Sequence, residues 1–279
     1  MKRLICILLI TMILSTGCTS LYKLDENKVK DVSDIITDVL INTVGQEKAE
    51  KKDSHTIASA DKNAISLISS VGDISIVTHQ SDDTIIKINM NSRADSKKKA
   101  EEIIDSYTYT IKEENNSIEV DTSFEKPVSG VNLTVELIIY IPSTIKDVKV
   151  LTNVGDVHLS GVNGNIDIKS NVGEASIDSS EGTYNLHVNV GDIRLMESIA
   201  IGNSEFKTST GDINLSIDIT RSDSITAETG VGDIQMTISD DAGYHAFINE
   251  FMKDERIETK DEPYTDISLT TGVGGIELK

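Results

Sequence analysis

An acidic residue recurs in this sequence at one position of a repeated phrase, and stacked carboxylates are chemistry that could bind a metal. The phrase is valine-glycine-aspartate followed by alternating apolar residues, and it begins at Val71. The acids in this slot are Asp73, Asp156, Glu174, Asp192, Asp212 and Asp233. Carboxylates on stacked strands would lie about 5–10 Å apart, which is close enough to share a Ca²⁺ ion.

The spacing within the phrase favours a structural role for these acids. Calcium-binding nonapeptide repeats carry paired glycines and an aspartate two residues after a glycine. Here the acid directly follows a single glycine, and Asn165 and Thr183 interrupt the row. We therefore predict that the acids are outward corner residues that accept turn hydrogen bonds, and that the chain needs no cofactor. A Ca²⁺-stabilised β-roll is the alternative, with Asp156, Glu174, Asp192, Asp212 and Asp233 as weak metal candidates.

The other polar residues show no catalytic arrangement in the sequence. The five histidines share no register that would predict a metal cluster: His55, His79, His158, His187 and His245. No nucleophile signature or phosphate-binding loop is present. We predict that the chain is not an enzyme. A carbohydrate-active β-helix enzyme, either a polysaccharide lyase or a hydrolase, is the alternative, and it would need acids or a basic residue in a groove.

The N-terminus has the anatomy of a secretory signal. A basic start at Lys2 and Arg3 precedes an eleven-residue apolar run from Leu4 to Leu14, too short to span a membrane. The segment 1–17 ends before Cys18 and resembles a bacterial lipoprotein signal, although its leucine lies one residue further back than usual. The resemblance implies that Cys18 is lipidated and that the chain is extracytoplasmic, anchored to the bacterial membrane at the cell surface. An ordinary signal with an incidental Cys18 is the alternative.

Charge and composition limit the partners. The formal net charge is -20, and such a surface repels nucleic acid. The charged composition of residues 18–55 indicates a tether. Apolar residues between Val29 and Val44 at helical spacing predict a short amphipathic helix within that tether.

The sequence pattern of residues 56–150 predicts a first half that contains both strands and a helix and that caps the repeats. Apolar residues alternate from Ile65 to Met90, which predicts three strands. A helix is predicted over Ala94–Ser106, with a capping box at 92–95. A hairpin around 114–116 and a strand from Val131 to Ile141 complete this half.

Glycine spacing predicts the fold of residues 151–279. Five glycines from Gly155 to Gly191 follow one another at nine-residue intervals, each before a strand-like alternation. Two units would make one coil of a parallel, right-handed β-solenoid, or β-helix, so that the class is all-β with a mixed N-terminal cap containing one α-helix. The repeat-turn glycines are Gly72, Gly155, Gly164, Gly173, Gly182, Gly191, Gly211, Gly232 and Gly274.

Three asparagines support the eighteen-residue coil independently. Asn153, Asn171 and Asn189 recur every eighteen residues, which predicts a hydrogen-bonded asparagine ladder. The polar insertion at 240–262 carries Phe247 and Phe251 one helical turn apart and would cover the far end of the stack. We expect function where the repeat breaks: at the predicted helix, at Gly202 and in the insertion.

The succession of elements resembles a known bacterial family. A strand, a helix, a hairpin, the strand end Tyr140-Ile141-Pro142 and the strands from Asn153 to Leu215 are similar to the "putative adhesin" β-strand-repeat family, a domain of unknown function. The resemblance runs from Ile57 to Lys279 and implies a β-solenoid at the cell surface. It implies a binding or structural module of the envelope. The expected partners are the membrane, through Cys18, and an unknown extracytoplasmic protein or envelope polymer, with no nucleic acid.

Overall fold

The part of the chain that the structure describes is nearly all β-strand with one helix, in agreement with the predicted all-β class. The structure is a computed structural model and describes residues 47–124, 132–239, 242–250, 256–260 and 264–279. The single helix of these residues is α1 (Lys97–Asp105). The strands are β1 (Glu47–Ala58), β2 (Ala64–Ser69), β3 (Asp73–His79), β4 (Asp83–Ala94), β5 (Tyr107–Glu113), β6 (Ser117–Phe124), β7 (Asn132–Pro142), β8 (Asp147–Val154), β9 (Val157–Ser160), β10 (Asn163–Val172), β11 (Ala175–Asp178), β12 (Glu181–Val190), β13 (Ile193–Thr210), β14 (Ile213–Val231), β15 (Ile234–Ile238), β16 (Gly243–Glu250), β17 (Arg256–Lys260), β18 (Tyr264–Val273) and β19 (Ile276–Leu278).

The strands pair into one continuous open sheet, and within it they form two rows of neighbouring strands. The first row runs β5, β6, β2, β8, β10, β12, the second parts of β13 and β14, β18, β16 and β17. The second row runs β1, β4, β7, β3, β9, β11, the first parts of β13 and β14, β15 and β19. Neighbours are parallel except near the ends, where β5–β6, β16–β17, β1–β4 and β4–β7 are antiparallel.

The stacking interval is eighteen residues in the regular part of the chain. Ile166 lies beside Val148 on one side and Tyr184 on the other. The interval then lengthens, because Leu186 lies beside Phe206, twenty residues on. The stack also begins earlier than residue 151, the predicted boundary. Strand β2 pairs in parallel with β8 and β3 with β9, so residues 64–79 are already part of it.

The buried side chains of both rows form one hydrophobic core. Alternate residues of each strand point inward, and most of them are Ile, Val or Leu, whose branched side chains suit a pleated surface. Three aromatic residues are exceptions: Tyr107 is buried, and Tyr184 and Phe206 are fully buried and stacked with ring centroids 6.0 Å apart. Tyr184 and Phe206 lie where the stacking interval lengthens.

Helix α1 begins later than the sequence predicts. Ser92 belongs to the predicted capping box, but it is buried within β4, which continues to Ala94. The cap is Ser96, whose Oγ accepts a hydrogen bond from the backbone N–H of Lys99 at 3.3 Å. Ala100 and Ile104 are the buried face of the helix, which packs against β1 and β4.

Two other segments differ from their predictions. Residues 47–55 fall within the predicted tether, but they belong to β1, which pairs with β4. The insertion is irregular in the prediction, with helically spaced phenylalanines. Its described residues instead form the antiparallel pair β16–β17, with Phe247 opposite Ile257. The signal 1–17, Cys18, the tether helix and Phe251 lie outside the described residues.

Candidate functional site

The acids of the repeated phrase lie in one row at a corner of the stacked strands. The aspartate carboxylates of this row accept hydrogen bonds from backbone N–H groups. Asp73 Oδ1 accepts from the N–H of Asp156 at 3.1 Å, and Asp156 Oδ1 accepts from the N–H of Glu174 at 2.8 Å. Asp192, Asp212 and Asp233 repeat this contact with the next unit, at 2.9, 2.8 and 2.7 Å. Each aspartate therefore satisfies a corner N–H of its neighbour, which explains why a short acid recurs there.

Within the described ranges, no group of three or more His, Cys, Asp or Glu side chains could hold a metal ion. Glu174, the longer acid of the row, instead pairs with Arg194 at 3.2 Å, and Arg194 also contacts Asp192 at 3.4 Å. The row therefore has the geometry of a structural corner.

We expect Ca²⁺ and chelator to leave the melting temperature of the chain unchanged. Asp212→Ala should instead lower the free energy of unfolding by about 1 kcal/mol, because a backbone N–H loses its acceptor. Calorimetry with and without EDTA measures both effects. Glu119→Ala on the exposed face of β6 is the control, expected within about 0.5 kcal/mol of wild type. A melting temperature that falls with EDTA would contradict the structural role.

The glycines of the repeat form two rows at opposite corners. Gly173 lies directly over the carbonyl of Gly155, with φ at +138°, and a Cβ there would be 2.1 Å from that oxygen. The larger row contains Gly72, Gly155, Gly173, Gly191, Gly211, Gly232 and Gly274, and the smaller contains Gly164 and Gly182 over Lys146. Backbone passes so close to backbone at these corners that no side chain fits.

The three asparagines stack as a hydrogen-bonded row beside the larger glycine row. Asn171 donates from Nδ2 to Asn153 Oδ1 at 3.1 Å, and Asn189 donates to Asn171 Oδ1 at the same distance. All three side chains are exposed, so each keeps an amide N–H and an oxygen lone pair for other partners.

An elongated open groove of about 1030 Å³ runs beside the asparagine row. It crosses six consecutive strands of the first row, β2, β8, β10, β12, β13 and β14, which at ~4.8 Å per strand gives roughly 24 Å. One column of lining residues is Ile68, Leu151, Lys169, His187, Lys207 and Glu228. A second column is Ser70, Asn153, Asn171, Asn189, Ser209 and Gly230.

Charges in the groove change along its length. Ile68 and Leu151 make one end apolar. In the middle, Glu205 lies beside the groove and contacts His187 Nε2 at 2.9 Å and Lys207 Nζ at 2.7 Å. Those two contacts, Lys207 foremost, hold the pKa of the Glu205 carboxyl below its usual value, and Glu205 in turn raises the pKa of Lys207. Lys207 also lies 3.6 Å from Glu228.

Lys169 differs from its charged neighbours in the groove. It is exposed on β10 between Leu151 and His187, and it has no salt bridge to an acid among the residues that the structure describes. Its ammonium group is therefore available to a ligand. It lies next to the asparagine row, whose amides keep unused N–H groups and lone pairs.

The sequence does not predict this groove. The predicted places for function are the breaks in the repeat, yet the groove lies over the most regular units. One signal was present. Two residues before each asparagine the residue type changes from Leu151 to Lys169 to His187, whereas the Asn-Val-Gly triplet at 153–155, 171–173 and 189–191 is constant.

Comparison with known proteins finds similarity in solved structures alone. No known protein family matches the chain, and no curated protein does. A "putative adhesin" from Bacteroides fragilis is similar at 18% identity and a TM-score of 0.42, covering 82% of this chain and 97% of its own. A "putative adhesin" from Parabacteroides distasonis is 12% identical, with a TM-score of 0.39 and coverage of 84% and 98%. A "putative cell adhesion protein" from Clostridium sporogenes is 14% identical, with a TM-score of 0.35 and coverage of 83% and 99%.

These names agree with the family that the sequence resembles. The identities and TM-scores are low, so the function of this chain has to be inferred from its own residues. The described residues contain no helix long and apolar enough to cross a membrane.

Proposed function

We propose that this chain is an adhesin-like binding module of the bacterial envelope, a right-handed parallel β-solenoid held at the cell surface by lipid on Cys18. The groove over β2 to β14 is the binding surface and the observation that carries the proposal. It is long, open and lined by side chains of varied chemistry, as a surface that recognises an extended partner should be. The partner is an extracytoplasmic polymer or protein.

The backbone around the groove supports recognition by side chains. Each of its six strands has a parallel partner on both sides, so its N–H and C=O groups are already paired. A ligand strand therefore cannot be added to the sheet there, as it is in edge-strand recognition. Affinity has to come from the amides, hydroxyls, charges and apolar side chains of the two columns.

Leu151→Glu is expected to reduce binding of the mature chain to bacterial envelopes at least several-fold. Leu151 is an exposed apolar residue of the groove, and an acid there removes apolar contact area and adds charge. Met196→Glu is the matched control, because Met196 is equally exposed and does not line the groove. Sedimentation of labelled protein with envelope fragments measures the effect. Equal loss in both variants would contradict a role for the groove.

The anchor has its own test. Cells fed a labelled fatty acid should incorporate the label into this chain, and Cys18→Ala should abolish the incorporation. A wild-type chain that takes up no label, or a Cys18→Ala chain that still does, would contradict lipidation at Cys18. This outcome is independent of what the groove binds.

A carbohydrate-active enzyme is the second candidate, and one observation favours it. Lys169, His187 and Lys207 are basic residues in a single groove, with Glu205 bonded to two of them. Prolonged incubation with polysaccharide would then release new chain ends. Binding without any release supports the module.

A further inference from the structure

The geometry points to a linear acidic polysaccharide as the ligand of the groove, held by Lys169 and by the asparagine row. This inference rests on the proposed function, because it names the ligand of the same surface. It draws on the period of the groove, on the donors and acceptors that line it and on the position of its available cation.

The period of the groove matches a sugar chain better than a peptide. Equivalent side chains in neighbouring strands are ~4.8 Å apart, which is close to the length of one pyranose unit in an extended 1,4-linked chain. An extended peptide advances only ~3.3 Å per residue, which is well short of the interval between strands. It would lose register with the columns within two or three strands, whereas a polysaccharide would present one unit to each strand.

The side chains that line the groove offer both hydrogen-bond donors and acceptors, and the hydroxyl groups of a sugar need both. Within the row, Asn171 uses one N–H and one oxygen lone pair, Asn153 uses a lone pair and Asn189 uses an N–H, and the rest of each exposed amide is open to solvent. Ser209 extends this column on the next strand. Among the described residues no aromatic side chain lines the groove, so affinity has to come from sources other than stacking on sugar rings.

The acidic character of the ligand follows from Lys169 and is a local effect. The chain as a whole carries a net charge of -20 and repels polyanions, so a carboxylate of the ligand is favoured only where it meets this ammonium. The other basic side chains of the groove are already engaged, Lys207 and His187 with Glu205, whereas Lys169 has no acid within salt-bridge distance in the described chain. A carboxylate on a sugar next to the Asn171 amide would meet an ammonium and an N–H donor together, the pairing that makes charge-assisted hydrogen bonds. At the apolar end, Leu151 would contact the non-polar face of a sugar ring.

The experiment measures binding of the full mature chain to galacturonate oligomers of about six units by calorimetry. The same oligomers with methyl-esterified carboxyls keep the hydroxyls and remove the charge. We expect the acidic oligomer to bind about tenfold more tightly. Lys169→Gln should weaken that binding about tenfold and remove most of the preference over the ester. Lys149→Gln is the control, since Lys149 is exposed on β8 and does not line the groove.

Each other outcome overturns part of the proposal. Equal binding of acid and ester, or an unchanged Lys169→Gln variant, would overturn the acidic ligand. Equal binding of polyglutamate would overturn the polysaccharide. If neither oligomer binds, but Leu151→Glu still reduces envelope binding, the proposed ligand class is wrong. The groove then remains the binding surface for another ligand. If Leu151→Glu also has no effect, the proposed function fails as well.

Discussion

Gly173→Ala is expected to lower the free energy of unfolding by about 2–6 kcal/mol, enough to unfold a marginally stable chain. A Cβ at this position would lie 2.1 Å from the carbonyl oxygen of Gly155, which is backbone and cannot turn aside. The φ of +138° adds strain, because L side chains rarely adopt it. Both neighbouring units would have to separate to admit one methyl group.

Gly202→Ala is the matched control for that substitution. Gly202 also has a positive φ, +63°, but a Cβ there would meet only the side chain of Asp223, at 3.9 Å. Its expected cost is therefore the left-handed backbone alone, about 1–2 kcal/mol. Chemical denaturation followed by circular dichroism compares the two variants. Equal losses would show that close approach at the corner contributes nothing.

Phe206→Ala is expected to cost about 3–5 kcal/mol. Phe206 is fully buried and stacks on Tyr184, so its removal leaves a cavity that a sheet paired on both sides cannot collapse to fill. Burial also raises the pKa of the Tyr184 hydroxyl, because the charged form would lose its hydration, and the hydroxyl stays protonated in the core. The core should therefore lose apolar contact without gaining a charge.

Phe247→Ala tests whether burial is the cause. This phenylalanine is 38% exposed on β16 opposite Ile257, and its removal should cost about 1 kcal/mol or less. Thermal unfolding of both variants measures the difference. A cost for Phe247→Ala that matches the cost for Phe206→Ala would contradict the placement of the core.

The repeating part of the chain was predictable because its constraints are local. A glycine before each alternating run implies a corner and a strand, and an interval of eighteen residues between asparagines implies which strands are neighbours. The Asn153, Asn171 and Asn189 contacts follow from that interval. Strand β1 was harder to find, because only Ala49 and Ile57 of its twelve residues are buried and the rest resemble a solvated linker.

The groove could not be predicted, because its column from Ile68 to Glu228 does not keep one residue type from strand to strand. Lys169 and His187 were visible in the sequence, but nothing local says that six strands bring them beside the asparagine row in one concave surface. The start of helix α1 was predicted wrongly for a similar reason, because it depends on strand pairing rather than on local residue types. Ser92 and Ser96 are both acceptable caps, and the pairing of β4 with β1 as far as Ala94 and with β7 as far as Arg93 decides between them.

The eighteen-residue interval also makes the length of this molecule adjustable in evolution. Asp156 bonds to Glu174 one unit on, and Asn153 bonds to Asn171, so each unit contacts only the units beside it. A duplication of residues 156–173 would therefore copy every corner contact without disturbing the ends. The descendant would be longer by ~4.8 Å in each row and would offer one more place in its groove. Copy number, rather than new side chains, would set the length of the groove.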